Sequence, residues 1–176
     1  MILVTSQYTK SKDISVIKKY ARFVLGKFVR RSVLNKANIN IRVITPEDCD
    51  DVSDAEDLRR YRAWCTYDKV VDGKKYFTVI LNKKSMSNAK TPHIRLKNLL
   101  IDLGHELVHI KQYLNCEIFD YKSGDVRYKG TYFEASANED EESYYDSPWE
   151  VEAYGRELGL YRMFLTKLKE ELSLIH

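Results

Sequence analysis

The chain has 176 residues, 44% of them hydrophobic, and a formal net charge of +3, which suits one globular domain around a single core. No apolar run approaches the length of a membrane span, and Met1-Ile2-Leu3-Val4 is far too short for a signal sequence. Cys49, Cys65 and Cys116 are widely spaced and form no C-x-x-C pair, so neither a disulfide framework nor a zinc knuckle is expected, and a reducing cytoplasm is the simplest location.

Charge is segregated along the chain. Lys10 to Lys36 carries nine bases and one acid, Asp13, whereas Glu47 to Asp57 and Glu134 to Glu152 hold acids and no base. Such blocks read first as solvated faces and loops. The basic block is also where a nucleic acid or an acidic partner would make contact.

In chain order, Ile14, Ile17, Tyr20, Val24 and Phe28 recur at helical spacing and predict a first helix over about Ser11 to Leu34. Asn38 to Thr45 alternates apolar with polar residues and reads as a strand ended by Pro46. Tyr61 to Val71 and Lys74 to Asn82 flank Asp72-Gly73, a hairpin signal. A helix then opens at Thr91-Pro92, an N-cap followed by proline at the first helical position. Glu117 to Tyr121 and Val126 to Phe133 surround Ser123-Gly124-Asp125 as a second, aromatic hairpin, and Glu134 to Ser147 is a polar loop. The last helix starts at Ser147-Pro148. In it Gly155 and Gly159, one turn apart, invite close approach of another helix, with the Thr91-Pro92 helix the obvious neighbour. The expected whole is one α+β domain over residues 1–176: an N-terminal helix, a small mostly antiparallel sheet, a central helix and a C-terminal helix.

The central helix carries His105-Glu106-Leu107-Val108-His109. His105 and His109 lie one turn apart on one face, so both imidazoles can reach one metal ion. Glu106, one step round, can take a proton from a metal-activated water and pass it to a leaving amine. The flanking residues are apolar, and buried His and Glu need partners to be tolerated. The pattern therefore points to a Zn2+ site that hydrolyses peptide bonds, although cobalt, manganese or iron would accept the same ligands.

Catalytic zinc takes three protein ligands and leaves a fourth position open. His93 lies at the far end of the same helix and His176 at the chain end; Gln112 and Asn115 stand where an extended three-His motif needs Gly and His. A carboxylate is left, with Glu150 and Glu152 as candidates. Pro-Trp-Glu-Val-Glu-Ala-Tyr resembles the second helix of the gluzincins, zinc peptidases in which that helix supplies a Glu, often as E-x-x-A-[DN]. With His-Glu-Leu-Val-His-Ile-Lys-Gln, the chain looks like the small metallopeptidases of phages and other mobile elements. The resemblance nominates Glu150 and implies a minimal zincin-like fold. It departs at Tyr154, which stands where Asp or Asn would orient a ligand histidine. Ser147-x-x-Glu150 is also a capping box; a Glu150 so engaged would leave Glu152 as the ligand.

The resemblance further implies that a substrate protein or peptide adds to an edge strand beside the active-site helix, for which Tyr76 to Leu81 is the candidate unless that strand is central. An oxyanion donor is sought among Tyr128, Tyr132, Tyr144, Tyr145 and Tyr154. The acidic segment including Ala137 to Glu142 could fold over the cleft. Two rival readings remain: a nucleic-acid-associated protein using the basic first helix, and a module in which metal merely joins two helices. Glu106 argues against the second, since a structural site has no use for a free carboxylate.

Overall fold

A computed structural model describes residues 1–6, 10–49, 56, 60–83, 91–135 and 141–173. The expected Ser85–Lys90 loop, most of the acidic stretch ending at Asp57, and the core of the 137–142 segment lie outside them.

Four strands form the main sheet: β1 (Ile2–Thr5), β2 (Ala37–Ile44), β3 (Ala63–Val71) and β4 (Lys74–Asn82), in the order β1-β2-β4-β3. The α+β class holds, but this sheet is not mostly antiparallel. β1 runs parallel to β2 and β2 parallel to β4; only the β3–β4 hairpin is antiparallel. Helix α1 (Ser11–Phe28) is the reason for the first pairing, since a helical crossover returns the chain to the end where β1 began. The hairpin turns at Asp72 (φ 50°) and Gly73 (φ 69°), two consecutive left-handed residues as the tight turn requires.

α1 stops six residues before the expected Leu34. Val29 and Arg30 are extended, with Val29 buried, and a short α2 (Arg31–Leu34) follows. One face of α1, through Ile17, Tyr20, Ala21, Val24 and Leu25, packs with Ile39, Ile41, Val43, Phe77, Val79 and Leu81 of the sheet in one core. The basic residues therefore lie on the outward side, where Lys19 pairs with Glu171.

α3 (Pro92–Leu114) carries the H-E-x-x-H residues, and Thr91 caps it by accepting from the Ile94 N–H at 3.3 Å. Leu99, Leu100, Leu103, Leu107 and Ile110 bind it to the same core. It ends with Cys116 in the left-handed region (φ 57°) and a 2.8 Å bond from the Glu117 N–H to the Gln112 carbonyl, a Schellman closure. That closure redirects the chain into β5 (Ile118–Asp120), β6 (Val126–Tyr128) and β7 (Thr131–Phe133), a small antiparallel sheet. The expected single hairpin is thus a three-stranded meander, with an extra turn at Lys129 (φ 48°) and Gly130 (φ 91°).

A short helix α4 (Glu141–Tyr145) replaces part of the expected 134–147 loop, and α5 (Pro148–Ser173) then crosses α3. The close approach is made by Gly104, not by Gly155 or Gly159. A Cβ on Gly104 would sit 2.6 Å from the Tyr20 hydroxyl and 3.5 Å from the Glu157 carbonyl, whereas Gly155 and Gly159 face open space. Among the described residues no helix is long and apolar enough to cross a membrane, and all three cysteines are free.

Candidate metal centre

α3 and the first turn of α5 bring together the three expected ligands. His105 Nε2 lies 3.1 Å from His109 Nε2 and 3.1 Å from Glu150 Oε2, and His109 Nε2 lies 3.3 Å from Glu150 Oε1. All three residues are buried. A tetrahedral zinc with bonds of about 2.0–2.1 Å requires ligand atoms about 3.3 Å apart. The separations are of that order, with a different Glu150 oxygen facing each histidine, and one donor atom from each residue lies within 4.8 Å of the others, so the group could hold a metal ion.

The outer ring nitrogens support the same conclusion. His105 Nδ1 sits 3.2 Å from Glu157 Oε2, and His109 Nδ1 sits 2.9 Å from Gln112 Oε1. Gln112 cannot present its nitrogen there, because its Nε2 donates to the Trp149 carbonyl at 3.0 Å and to Glu152 Oε2 at 3.2 Å. Both Nδ1 atoms thus face acceptors, which would hold the Nδ1 protons when the rings are neutral and leave both Nε2 atoms for a metal. The two Nε2 atoms converge with Glu150 on one point, where either a proton shared with the carboxylate or a bound cation relieves the repulsion of their lone pairs. The donor set fits a divalent metal.

Glu150 rather than Glu152 is the carboxylate at the centre. The capping box does not form through Glu150: the Ser147 N–H donates to the Tyr144 carbonyl, while Glu150 takes the histidines and the Tyr144 hydroxyl at 2.7 Å. Its place in the first turn of α5 also sets its charge against the positive helix end. Glu152 is engaged elsewhere, with Lys111 at 2.8 Å, Tyr128 at 2.6 Å and Arg156 at 3.0 Å.

The titration of the group follows from these contacts. Burial pushes the His105 imidazole down, but hydrogen bonds to Glu150 and Glu157 outweigh it and raise the pKa to about 10. His109 is raised against burial by Glu150 and Glu106. Glu150, despite burial, is held by the two imidazoles well below the usual carboxylate range. Glu106 is raised, chiefly by burial, against the pull of both histidines. Its side-chain partner is the Cys65 thiol of β3, itself raised by burial and by Glu106.

These groups lie in a cleft of about 870 Å³ between β3, α3, the β5–β7 sheet and α4. Tyr154 lines it and packs its ring edge-on against His105 at 4.4 Å, so the residue that breaks the gluzincin-like pattern touches the ligand without a hydrogen bond to it. Burial and Glu150 keep its hydroxyl protonated, with a pKa of about 12. Of the other tyrosines considered, Tyr144 is committed to Glu150, Tyr128 to Glu152 and Tyr132 to Asp125; Tyr145 lines the cleft. The β4 strand around Tyr76 to Leu81 is central, hydrogen-bonded on both sides, and cannot receive a substrate strand. The edge strand beside the cleft is β3.

Sequence reasoning missed Glu157 and the role of Gln112. The signal for Glu157 was its spacing: seven residues after Glu150, it repeats the same helix face two turns on. Exposed His93 takes no part. Comparison with protein-family models, with curated proteins and with solved structures finds no match.

Proposed function

We propose that this protein is a zinc-dependent metallopeptidase with His105, His109 and Glu150 as ligands and Glu106 as general base. The observation that carries the reading is the buried convergence of His105, His109 and Glu150, with donor atoms within 4.8 Å of one another and both outer ring nitrogens facing acceptors. A bound divalent metal supplies Lewis acidity, which polarises a carbonyl and makes water a nucleophile near neutral pH. Glu106 holds the proton of the attacking water and delivers it to the leaving nitrogen; its raised pKa suits a group that must both accept and release. Tyr154, protonated and at the cleft, is the best-placed donor for a developing oxyanion. β3 offers its free edge to an extended peptide.

A purely structural metal site is disfavoured because Glu106 is 6% exposed beside the ligands yet donates nothing to holding α3 against α5. Metal content and casein hydrolysis of the intact protein and its variants test the proposal. About one zinc per chain is expected, lost in His105→Ala and Glu150→Ala, and kept without activity in Glu106→Gln. A chain that takes up no metal under any loading condition would sink it.

A further inference from the structure

The cleft is electrically uneven along its length. Arg62, just before β3, lines it beside Asp102 of α3, with Arg60 also in the lining; Asp120, which accepts from the hydroxyl of Tyr113, eleven residues further along α3, lines it as well. Arg62 is anchored rather than loose. Its Nη2 lies 3.0 Å from Asp102 Oδ1, and Asp102 stands one helical turn before His105 on the same face of α3. The two partners differ in exposure: the Asp102 side chain is 14% exposed, the Arg62 side chain 59%. The carboxylate is the buried buttress and the guanidinium the open member. A guanidinium has five donors in a planar fork, and the Asp102 contact is made through one nitrogen. Charge neutralisation of Asp102 accounts for that contact; Arg60, whose guanidinium lies over the Tyr61 ring at 5.4 Å, adds a second positive charge to the same lining.

We propose that Arg62, held by Asp102 and assisted by Arg60, binds a carboxylate of the substrate, so that the cleft selects peptides with an acidic side chain or a free C-terminus near the scissile bond. The inference rests on the peptidase reading and adds a substrate class to it. Three residues of α3 rise about 4.5 Å, one to two residues of an extended peptide laid along β3. The acidic group therefore falls within about two residues of the cut.

The test uses zinc-loaded full-length protein and three peptide sets: end-blocked with internal Glu, end-blocked with Gln at the same place, and Gln with a free C-terminus. Cut sites are read by mass spectrometry. The Glu or free-carboxylate peptides should exceed the blocked Gln peptide at least tenfold in kcat/KM, and the set that does so identifies the source of the carboxylate. That ratio should fall towards one in Arg62→Gln, fall partly in Arg60→Gln, and fall below one, in favour of the blocked Gln peptide, in Arg62→Glu. Equal rates on all sets, or a preference that survives Arg62→Gln, would overturn the inference and leave the peptidase reading intact. If no peptide is cut, equilibrium binding of the same labelled peptides decides. Tenfold tighter binding of the carboxylate peptides, lost in Arg62→Gln, keeps the carboxylate site while the peptidase reading falls; equal binding overturns the inference too.

Discussion

Glu150 and Glu157 grip opposite nitrogens of one imidazole: Glu150 Oε2 is 3.1 Å from His105 Nε2, and Glu157 Oε2 is 3.2 Å from Nδ1. Only the first can be a ligand. The second holds the ring in place and makes it a stronger base towards a metal. Replacing Glu157 by Gln should weaken zinc binding roughly 10- to 100-fold while the stoichiometry at saturating zinc stays the same. Competition against a chelator of known affinity reads this directly; unchanged affinity would make Glu157 a bystander.

Metal and protons should compete for the site. With His105 raised to about 10, the metal-free protein carries a proton there at neutral pH, and zinc must displace it. Calorimetry at pH 7 in buffers of different ionisation enthalpy should show at least one proton released per zinc. A buffer-independent heat would show that the imidazoles are already neutral.

The stability of the metal-free protein should also depend on pH. A pKa raised from 6.5 to about 10 at His105 stabilises the fold below 6.5, and that contribution is lost as pH rises towards 10. Glu150, depressed from 4.5, contributes above 4.5 and loses its effect as pH falls below it. Both describe one cluster, so urea midpoints in the presence of EDTA should peak between about pH 4.5 and 6.5 and decline on the alkaline side. Zinc should remove the alkaline decline. A flat profile in EDTA from about pH 6.5 to 10 would contradict the assigned contacts.

Gly104 allows a different kind of test. A methyl group there meets the Tyr20 hydroxyl at 2.6 Å, so Gly104→Ala should cost about 1–3 kcal/mol through overpacking. The Tyr20 hydroxyl is buried with no hydrogen-bond partner, so Tyr20→Phe alone should be neutral or stabilising. The double variant should recover most of the loss, because the contested atom is gone. Additive effects of the two changes in chemical denaturation would place the strain elsewhere, against the α5 backbone.

Glu152 should prove dispensable for metal and important for folding. Glu152→Ala removes partners of Lys111, which is 5% exposed, and of Gln112, which is fully buried. A loss of about 1–3 kcal/mol is expected with zinc retained at saturation. Loss of zinc with a normal melting curve would reassign the third ligand.

The parts of this molecule readable in the sequence are those whose chemistry is local. The Thr91 cap, the Pro92 start, the Asp72-Gly73 turn and the one-turn spacing of His105 and His109 each depend on a few neighbouring residues. The parts that were not readable depend on what lies across the fold. β1 is four residues with no alternation long enough to mark it, and its parallel pairing exists only because α1 returns the chain beside it. The centrality of β4 is a matter of strand order, which its own apolar composition does not encode. The break at Val29 comes without a Gly or Pro, since Phe28, Val29 and Val33 continue an apolar pattern while the backbone turns. The sequence nominates Glu150 and keeps Glu152 as the alternative; the engagement of Glu152 with Lys111 and Gln112, which comes from across the fold, is what separates them.

One helix supplies nearly everything that α3 lacks. Glu150 gives the third side chain of the candidate metal site, Glu157 steadies the first histidine, and the Trp149 carbonyl with Glu152 turns Gln112 so that it steadies the second. These groups work as teeth on one rack. A single inserted residue within the first two turns of α5 rotates everything beyond it by about 100° and advances it about 1.5 Å, taking Glu157 out of mesh while Glu150 stays. The spacing between Trp149 and Glu157 is therefore a fixed count, set by the need to face both histidines at once.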